Sequence, residues 1–388
     1  MTAQARAYLD TNASAPVLPS VIAAMTQALL MFGNASSVHA EGRAARRAIE
    51  SAREDVAVLV GARAKAVVFT SGATEANGTA LCPDWRVAGR PARFERLLVG
   101  ATEHASILAG GRFANGQVTI VPVDADGLIR RDAMAALLAE GGPALVAVQL
   151  ANNETGVIQP IAEIATLVHQ AGGLLHCDAV QAPGRLRVSI GLIGADSLAL
   201  SAHKLGGPQG IGALVLADLD TGPAPLLTGG GQEHHRRAGS ENLAAIVGFA
   251  QAARETFAGN DEIVRLTVLR DWLEAELRSI SPSIRVFGYG AERIGNTSLF
   301  AAPGVSAETA LIRLDLEGVS VSSGSACSSG KVGLSHVLTA MGVEAELARG
   351  GLRVSLGHHN TEADVRRFRD VFAGIVERAG AKRSGIAA

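Results

Sequence analysis

Lys204 lies in SAHKLGGPQGIGAL, directly after the apolar run DSLAL and before a Gly/Pro-rich turn. That is an unusual setting for a solvated lysine. A desolvated lysine has a lowered pKa and can form a Schiff base with an aldehyde. Ser201 and His203 flank it and could bind a phosphate beside it. Asp178, in HCDAVQ, ends another apolar run. A carboxylate there is costly unless paired. A protonated heterocyclic nitrogen would pair with it, and so would a buried helix cap or a salt bridge. Gln181, three residues on, could donate to a phenolic oxygen. In SGATEAN, Gly72 permits a sharp turn, and Ala73 and Thr74 open a helix whose N-terminal N–H groups favour an anion. Each piece alone has a plainer reading: a cap for Thr74, a surface charge for Lys204. An anion site, a carboxylate for a ring nitrogen and a lysine for an aldehyde, in this order, together describe a pyridoxal phosphate site.

One further group stands out. Cys327 lies in SSGSACSSG, from Ser322 to Gly330, among residues with almost no side chain to pack. The stretch reads as a loop that presents a thiol. The three cysteines, Cys82, Cys177 and Cys327, are far apart and odd in number, which favours free thiols and a reducing compartment over a disulfide framework. Cys177 lies inside an apolar strand and reads as a small hydrophobe, and Cys82 also reads as structural. No CxxC and no Cys/His pairing has structural-zinc spacing, so no metal is expected.

The elements that must position these groups alternate. Short apolar runs at 66–72, 97–100, 144–150, 174–180, 196–204 and 211–217 read as buried strands. Helical patterns lie between them, such as IAEIATLVHQAGG with its Gly stop. That is an α/β chain with a mostly parallel sheet covered on both faces. Ligands in such sheets bind beyond the carboxyl ends of the strands, where Thr74, Asp178 and Lys204 fall. After about Asn260 the texture changes to a long charged helix, shorter strands and a closing helix, a smaller α+β region. We therefore expect a large cofactor-binding domain over 15–260, and a small domain of 1–14 and 261–388 that carries the Cys327 stretch.

With 388 residues, 48% hydrophobic and 19% charged, the chain can bury a sizeable core. A net charge of −2 gives no basic field for nucleic acid and no polybasic membrane patch. No apolar run reaches membrane-spanning length, and MTAQARAYLD has no apolar signal core. The expected setting is cytoplasmic.

The motifs YLDTNASAP, GNASSVHAEG, FTSGATEAN, TEHAS, NNETGVIQPI, HCDAVQ, SAHKLGGPQGIGAL, GGGQEHHRRAGSEN, SSGSACSSG and RVSLG, in this order and nearly end to end, resemble cysteine desulfurases of the nitrogenase and iron–sulfur-cluster type, within the class V aminotransferase family. The resemblance implies the fold type I architecture of pyridoxal phosphate enzymes. It implies that Lys204 holds the cofactor and that Asp178 pairs with its ring nitrogen. Gln181 and Asn153 would reach its hydroxyl, and Ala73, Thr74, Ser201 and His203 its phosphate. Ser240, where the family has Thr, would reach the phosphate from a neighbouring subunit of a homodimer. His104 would stack on the ring and move protons. Arg353 would clamp the carboxylate of L-cysteine, and Asn34 would line the entrance. Cys327 would take the substrate sulfur as a persulfide, release alanine and pass the sulfur to an acceptor such as an iron–sulfur scaffold.

The chain departs from the family pattern at ASAP, at GNASS and in KVGLSHVLTAMG, all near the entrance and the acceptor side. A selenocysteine lyase or an aminotransferase could use the same scaffold. A non-enzymatic sulfur-assembly partner fits less well, because Lys204, Asp178, His104, Arg353 and Cys327 are all present.

Overall fold

The computed structural model describes residues 6–258, 260–324 and 333–386. Its centre is a seven-stranded sheet in the order Val67–Thr70, Gly212–Leu216, Ser197–Ser201, Leu174–Asp178, Leu145–Gln149, Leu97–Gly100 and Val118–Val121. Gly212–Leu216 runs antiparallel to both its neighbours. The remaining pairings are parallel. The strands Val67–Thr70, Leu97–Gly100, Leu145–Gln149, Leu174–Asp178 and Ser197–Ser201 are buried at every position. That is why they read as unbroken apolar runs: helices cover both faces, so no side needs to be polar. Gly212 lets the antiparallel strand close against the first one. A Cβ there would lie 2.5 Å from the Leu200 carbonyl oxygen and 2.7 Å from Gly72 C.

The helices follow from spacing. Ile161–Gln170 buries Ile161, Ile164, Ala165 and Val168, an i, i+3, i+4, i+7 stripe. It stops where Gly172 turns left-handed at φ 74°. An edge strand and a small ribbon are among the elements with no counterpart in the sequence reading. Val118–Val121, VTIV, forms the sheet edge, with Thr119 and Ile120 exposed. A small antiparallel ribbon joins Asp84–Val87, Arg90–Arg93 and Gly222–Pro223. It closes over Ala88 and Gly89, both at positive φ, with Trp85 buried beneath it.

A second core is built from Ala7 and Leu9 together with residues between Leu266 and Ile375. Its sheet runs Arg285–Val286, Thr297–Ala301, Leu352–Ser355, Ser322–Ser323. Phe300 meets Phe368 and Phe372 edge-on, with ring centroids 6.0 and 5.4 Å apart. Ala7–Tyr8 joins this half of the molecule by pairing in parallel with Val319–Ser320.

One buried ion pair ties a long loop to the sheet. Arg53 is fully buried in the helix Ala40–Leu59 and reaches Glu233 through both nitrogens of its fork, at 2.5 and 2.9 Å. Glu233 also accepts from the Phe69 backbone N–H at 2.8 Å. Breaking one side of such a pair leaves a buried charge alone. Arg53→Met is therefore expected to cost about 3–5 kcal/mol, and Arg53→Met with Glu233→Met to recover most of it. Denaturant unfolding of the two variants checks this.

Candidate functional site

The carboxyl ends of the strands converge on a cavity of about 620 Å³. Each strand end delivers a part. After Val67–Thr70 come Ser71, Gly72, Ala73 and Thr74, the last two opening the helix Ala73–Ala80. After Leu97–Gly100 comes His104, and after Leu145–Gln149 comes Asn153. Asp178 closes its strand and Gln181 follows. Ser201, His203 and Lys204 end the next. Arg353 enters from the second core.

Lys204 Nζ donates to the carbonyls of Asn12 at 2.6 Å and Ala13 at 2.8 Å. Asp178 is buried, and its two oxygens are divided: Oδ2 accepts from Asn77 Nδ2 at 2.9 Å and Oδ1 from the Val180 N–H at 3.0 Å. Asn77 is held in turn, since its Oδ1 lies 2.9 Å from His176 Nε2, and Ser197 Oγ lies 2.8 Å from the other ring nitrogen. Burial lowers the His176 pKa to about 3, so the ring is neutral. With Nε2–H facing Asn77 Oδ1, the amide group is left to donate to Asp178. Glu103, also buried, accepts from the Gln149 N–H at 3.0 Å. Desolvation holds its pKa well above the carboxylate range, and the Asp178 charge adds to this.

His104 caps the short helix Ala105–Leu108: its Nδ1 accepts from the Ser106 N–H at 3.2 Å, with Ser106 Oγ at 2.8 Å. That leaves the ring proton on Nε2. His203 Nδ1 lies 3.3 Å from Ser14 Oγ. Burial pushes its pKa down to about 4, with the Lys204 and Arg185 charges acting the same way. His203 is thus a neutral ring near neutral pH. Gln181 Nε2 donates to the Asn12 carbonyl at 3.1 Å, while its Oε1 accepts from Arg185 at 2.7 Å. Arg353 is buried, with Nη2 on Asp10 Oδ1 at 2.6 Å and Nη1 on the Asn153 carbonyl at 3.0 Å. Among the described residues its Nε has no hydrogen-bond partner.

The donor set fits pyridoxal phosphate. An amine suited to an aldehyde, a carboxylate suited to a ring nitrogen and a helix N-terminus suited to a phosphate open onto one space. Two expected residues lie elsewhere. Asn34 is exposed and does not line the cavity; its Oδ1 accepts from the Ser36 N–H at 2.8 Å and shapes the turn before Ala40–Leu59. Ser240 lines a separate cavity with Thr70, Ser71 and Gly210, behind the turn at Gly72. Cys327 lies outside the described residues. The sequence reading missed Asp10, Asn12, Asn77 and Glu75. Asp10 and Asn12 stood in a motif, LDTNASAP, that carried no assigned role. Asn77 looked like an ordinary helix residue.

The aminotransferase class-V family matches residues 7–368. A cysteine desulfurase of Cereibacter sphaeroides is 42% identical over 378 residues, 96% of each chain. An IscS-like cysteine desulfurase of Mycobacterium tuberculosis is 40% identical and covers 98% of each. The structure of a NifS-like protein from Rickettsia africae superposes with a TM-score of 0.86 at 32% identity, covering 96% of this chain and 99% of that one.

Glu154 stands at the edge of the site. Ser335 Oγ donates to its Oε2 at 2.6 Å, and a Cβ on Gly324 would lie 2.6 Å from the same oxygen. Burial raises its pKa from 4.5 to about 7, against the Ser335 bond and the Arg353 charge. Between those two values the unfolded carboxyl is ionised while the folded one keeps its proton. The stability this gives is present below 4.5 and lost as pH rises through about 7. Glu154→Gln should abolish that slope. The change in unfolding free energy between pH 5 and pH 8 should differ by up to about 3 kcal/mol between the native chain and the variant, since Glu103, His176 and His203 contribute equally to both. Equal pH dependence in both would show Glu154 to be ionised throughout.

Proposed function

The chain belongs to the class-V aminotransferase family and its activity is that of a cysteine desulfurase dependent on pyridoxal phosphate; from that premise we propose a division of labour among its residues. Lys204 holds the cofactor. Asp178, fixed by Asn77 and the Val180 N–H, meets the ring nitrogen as a carboxylate. Ala73, Thr74, Ser201 and His203 take the phosphate, with Gln181 and Asn153 near the ring hydroxyl. When bound, pyridoxal phosphate supplies the electron sink that weakens bonds at the α- and β-carbons of an amino acid. Arg353, oriented by Asp10, holds the carboxylate of L-cysteine. Lys204 Nζ moves the proton at the substrate α-carbon. His104, with its proton on Nε2, is the second proton carrier.

The Cys327 thiolate attacks the substrate sulfur. The new S–S bond forms as the Cβ–S bond breaks, and the electron pair left on Cβ takes up a proton. Alanine leaves and a persulfide remains on Cys327. It is passed to an acceptor protein, an iron–sulfur scaffold in this reading. The observation that carries the proposal is the opening of Lys204, Asp178, His104 and Arg353 onto one cavity.

The division into a cofactor-binding domain of 15–260 and a smaller domain of 1–14 with 261–388 is part of the reading, supported by the separate core around Phe300 and Phe368. So is a homodimer. Leu29, Leu30, Phe32 and Val38 are 72–87% exposed on neighbouring elements, an apolar surface that a second copy would cover, and Ser240 would then reach the partner's phosphate. Among the described residues no helix is long and apolar enough to cross a membrane. Buried free thiols at Cys82 and Cys177 suit a cytoplasmic setting.

Cys327→Ser should cut alanine release from L-cysteine by roughly a hundredfold or more while the Lys204-bound cofactor keeps its absorbance. Undiminished turnover would remove Cys327 from the reaction. Arg353→Ala should raise KM for L-cysteine far more than it weakens the cofactor, measured by steady-state alanine formation.

A further inference from the structure

Glu75 is a carboxylate in the first turn of the helix that opens onto the cavity, and it lines that cavity beside Ser71, Gly72, Ala73 and Thr74. Its Oε2 accepts from the Ser71 N–H at 2.8 Å, which fixes the turn. Its Oε1 accepts from Arg237 Nε at 2.9 Å, and Oε2 meets Arg237 Nη2 at 3.3 Å. The two side chains are only 10% and 22% exposed. Burial acts to raise the Glu75 pKa, but the Arg237 and Ser71 bonds outweigh it, and the net direction is down. Glu75 is therefore ionised at neutral pH. A negative charge sits in the wall of a site that has to take a dianion.

We propose that Arg237 is an electrostatic positioning residue for the cofactor phosphate: by pairing with Glu75 it cancels a charge that would otherwise repel the phosphate from Gly72–Thr74. This rests on the placement of the phosphate at Ala73 and Thr74 proposed above. Glu75 sets the shape of the turn, and Arg237 removes the electrostatic cost of having it there.

The loop that brings Arg237 supports this. Glu233, His234 and His235 stand at φ 48°, 56° and 62°, three successive non-glycine residues in left-handed backbone. Such residues are costly and persist only where the surroundings over-determine them. Here Glu233 is clamped by Arg53 and by the Phe69 N–H. Phe69 lies one residue before Thr70, the end of the strand that feeds the Ser71–Gly72 turn. The same loop is thus fastened to the turn at two points, Glu233 on the strand and Arg237 on the helix.

The test is cofactor retention, followed as loss of the Lys204-bound absorbance when holoenzyme is diluted. Arg237→Met should weaken retention by about tenfold or more at low salt, with a smaller penalty at high salt. Arg237→Lys should weaken retention less than Arg237→Met does, since the charge remains while the two-point fork onto Glu75 is lost. Arg237→Met combined with Glu75→Gln should return to within about threefold of Glu75→Gln alone. A double variant as weak as Arg237→Met, or a penalty indifferent to salt, overturns the proposal. If Arg237→Met does not fold, Glu75→Gln alone decides. It should hold the cofactor at least as tightly as the native chain, and tenfold weaker retention overturns the idea. A native chain that takes up no pyridoxal phosphate would instead overturn the placement of the cofactor.

Discussion

The site depends on one short segment, Asp10 to Ala13. It leaves the second core, where Thr11 N–H donates to the Ser355 carbonyl at 3.1 Å and Asn12 N–H to Ser355 Oγ at 3.0 Å. It then passes along the cavity. Asp10 takes Arg353, and the Asn12 carbonyl takes both Lys204 Nζ and Gln181 Nε2. The Asn12 side chain donates to Thr297 Oγ1 at 2.8 Å and to the Asn153 carbonyl at 3.1 Å, and accepts from Asn296 at 3.1 Å. Four residues thereby link the sheet that carries Lys204 to the core that carries Arg353. A shift of this segment would move the amine and the guanidinium relative to each other, and both line one cavity.

Low dielectric sets the charge states around it. His176 is kept neutral and so can orient Asn77, which in turn orients Asp178. Glu103 and Glu154 are buried carboxyls whose pKa values are pushed up, so near the site negative charge is concentrated on Asp178, Asp10 and Glu75. Asp10 is answered by Arg353 and Glu75 by Arg237. Asp178 has neutral donors instead, which leaves its charge available to a cationic partner.

Much of this is legible along the chain because parallel strands buried on both faces leave continuous apolar runs. Lys204 and Asp178 stood out as charges at the ends of such runs. The ribbon around Trp85 was not legible, since its half-exposed strands DWRV and RPAR carry charges, whereas the edge strand VTIV is β-branched throughout and went unread beside longer apolar runs. Asn34 was expected at the entrance from a motif that itself departs from the family pattern, and its Oδ1 accepts from the Ser36 N–H in a local turn.

The sequence by itself determined the α/β class and the family, and it marked Lys204, Asp178, Arg353 and Cys327 as candidates, because each is a residue type whose chemistry is intrinsic and whose neighbours are consecutive. Tertiary structure decided the rest. That Asn12 carries Lys204, that Asp10 holds Arg353 across 343 positions and that Arg237 answers Glu75 across 162 are pairings between distant segments. No local pattern encodes them. The first two exist because the Asp10–Ala13 segment runs between the two cores, and the third because the loop carrying Arg237 closes on the Ser71–Thr74 turn; in each, loss of water obliges a charge to find a partner.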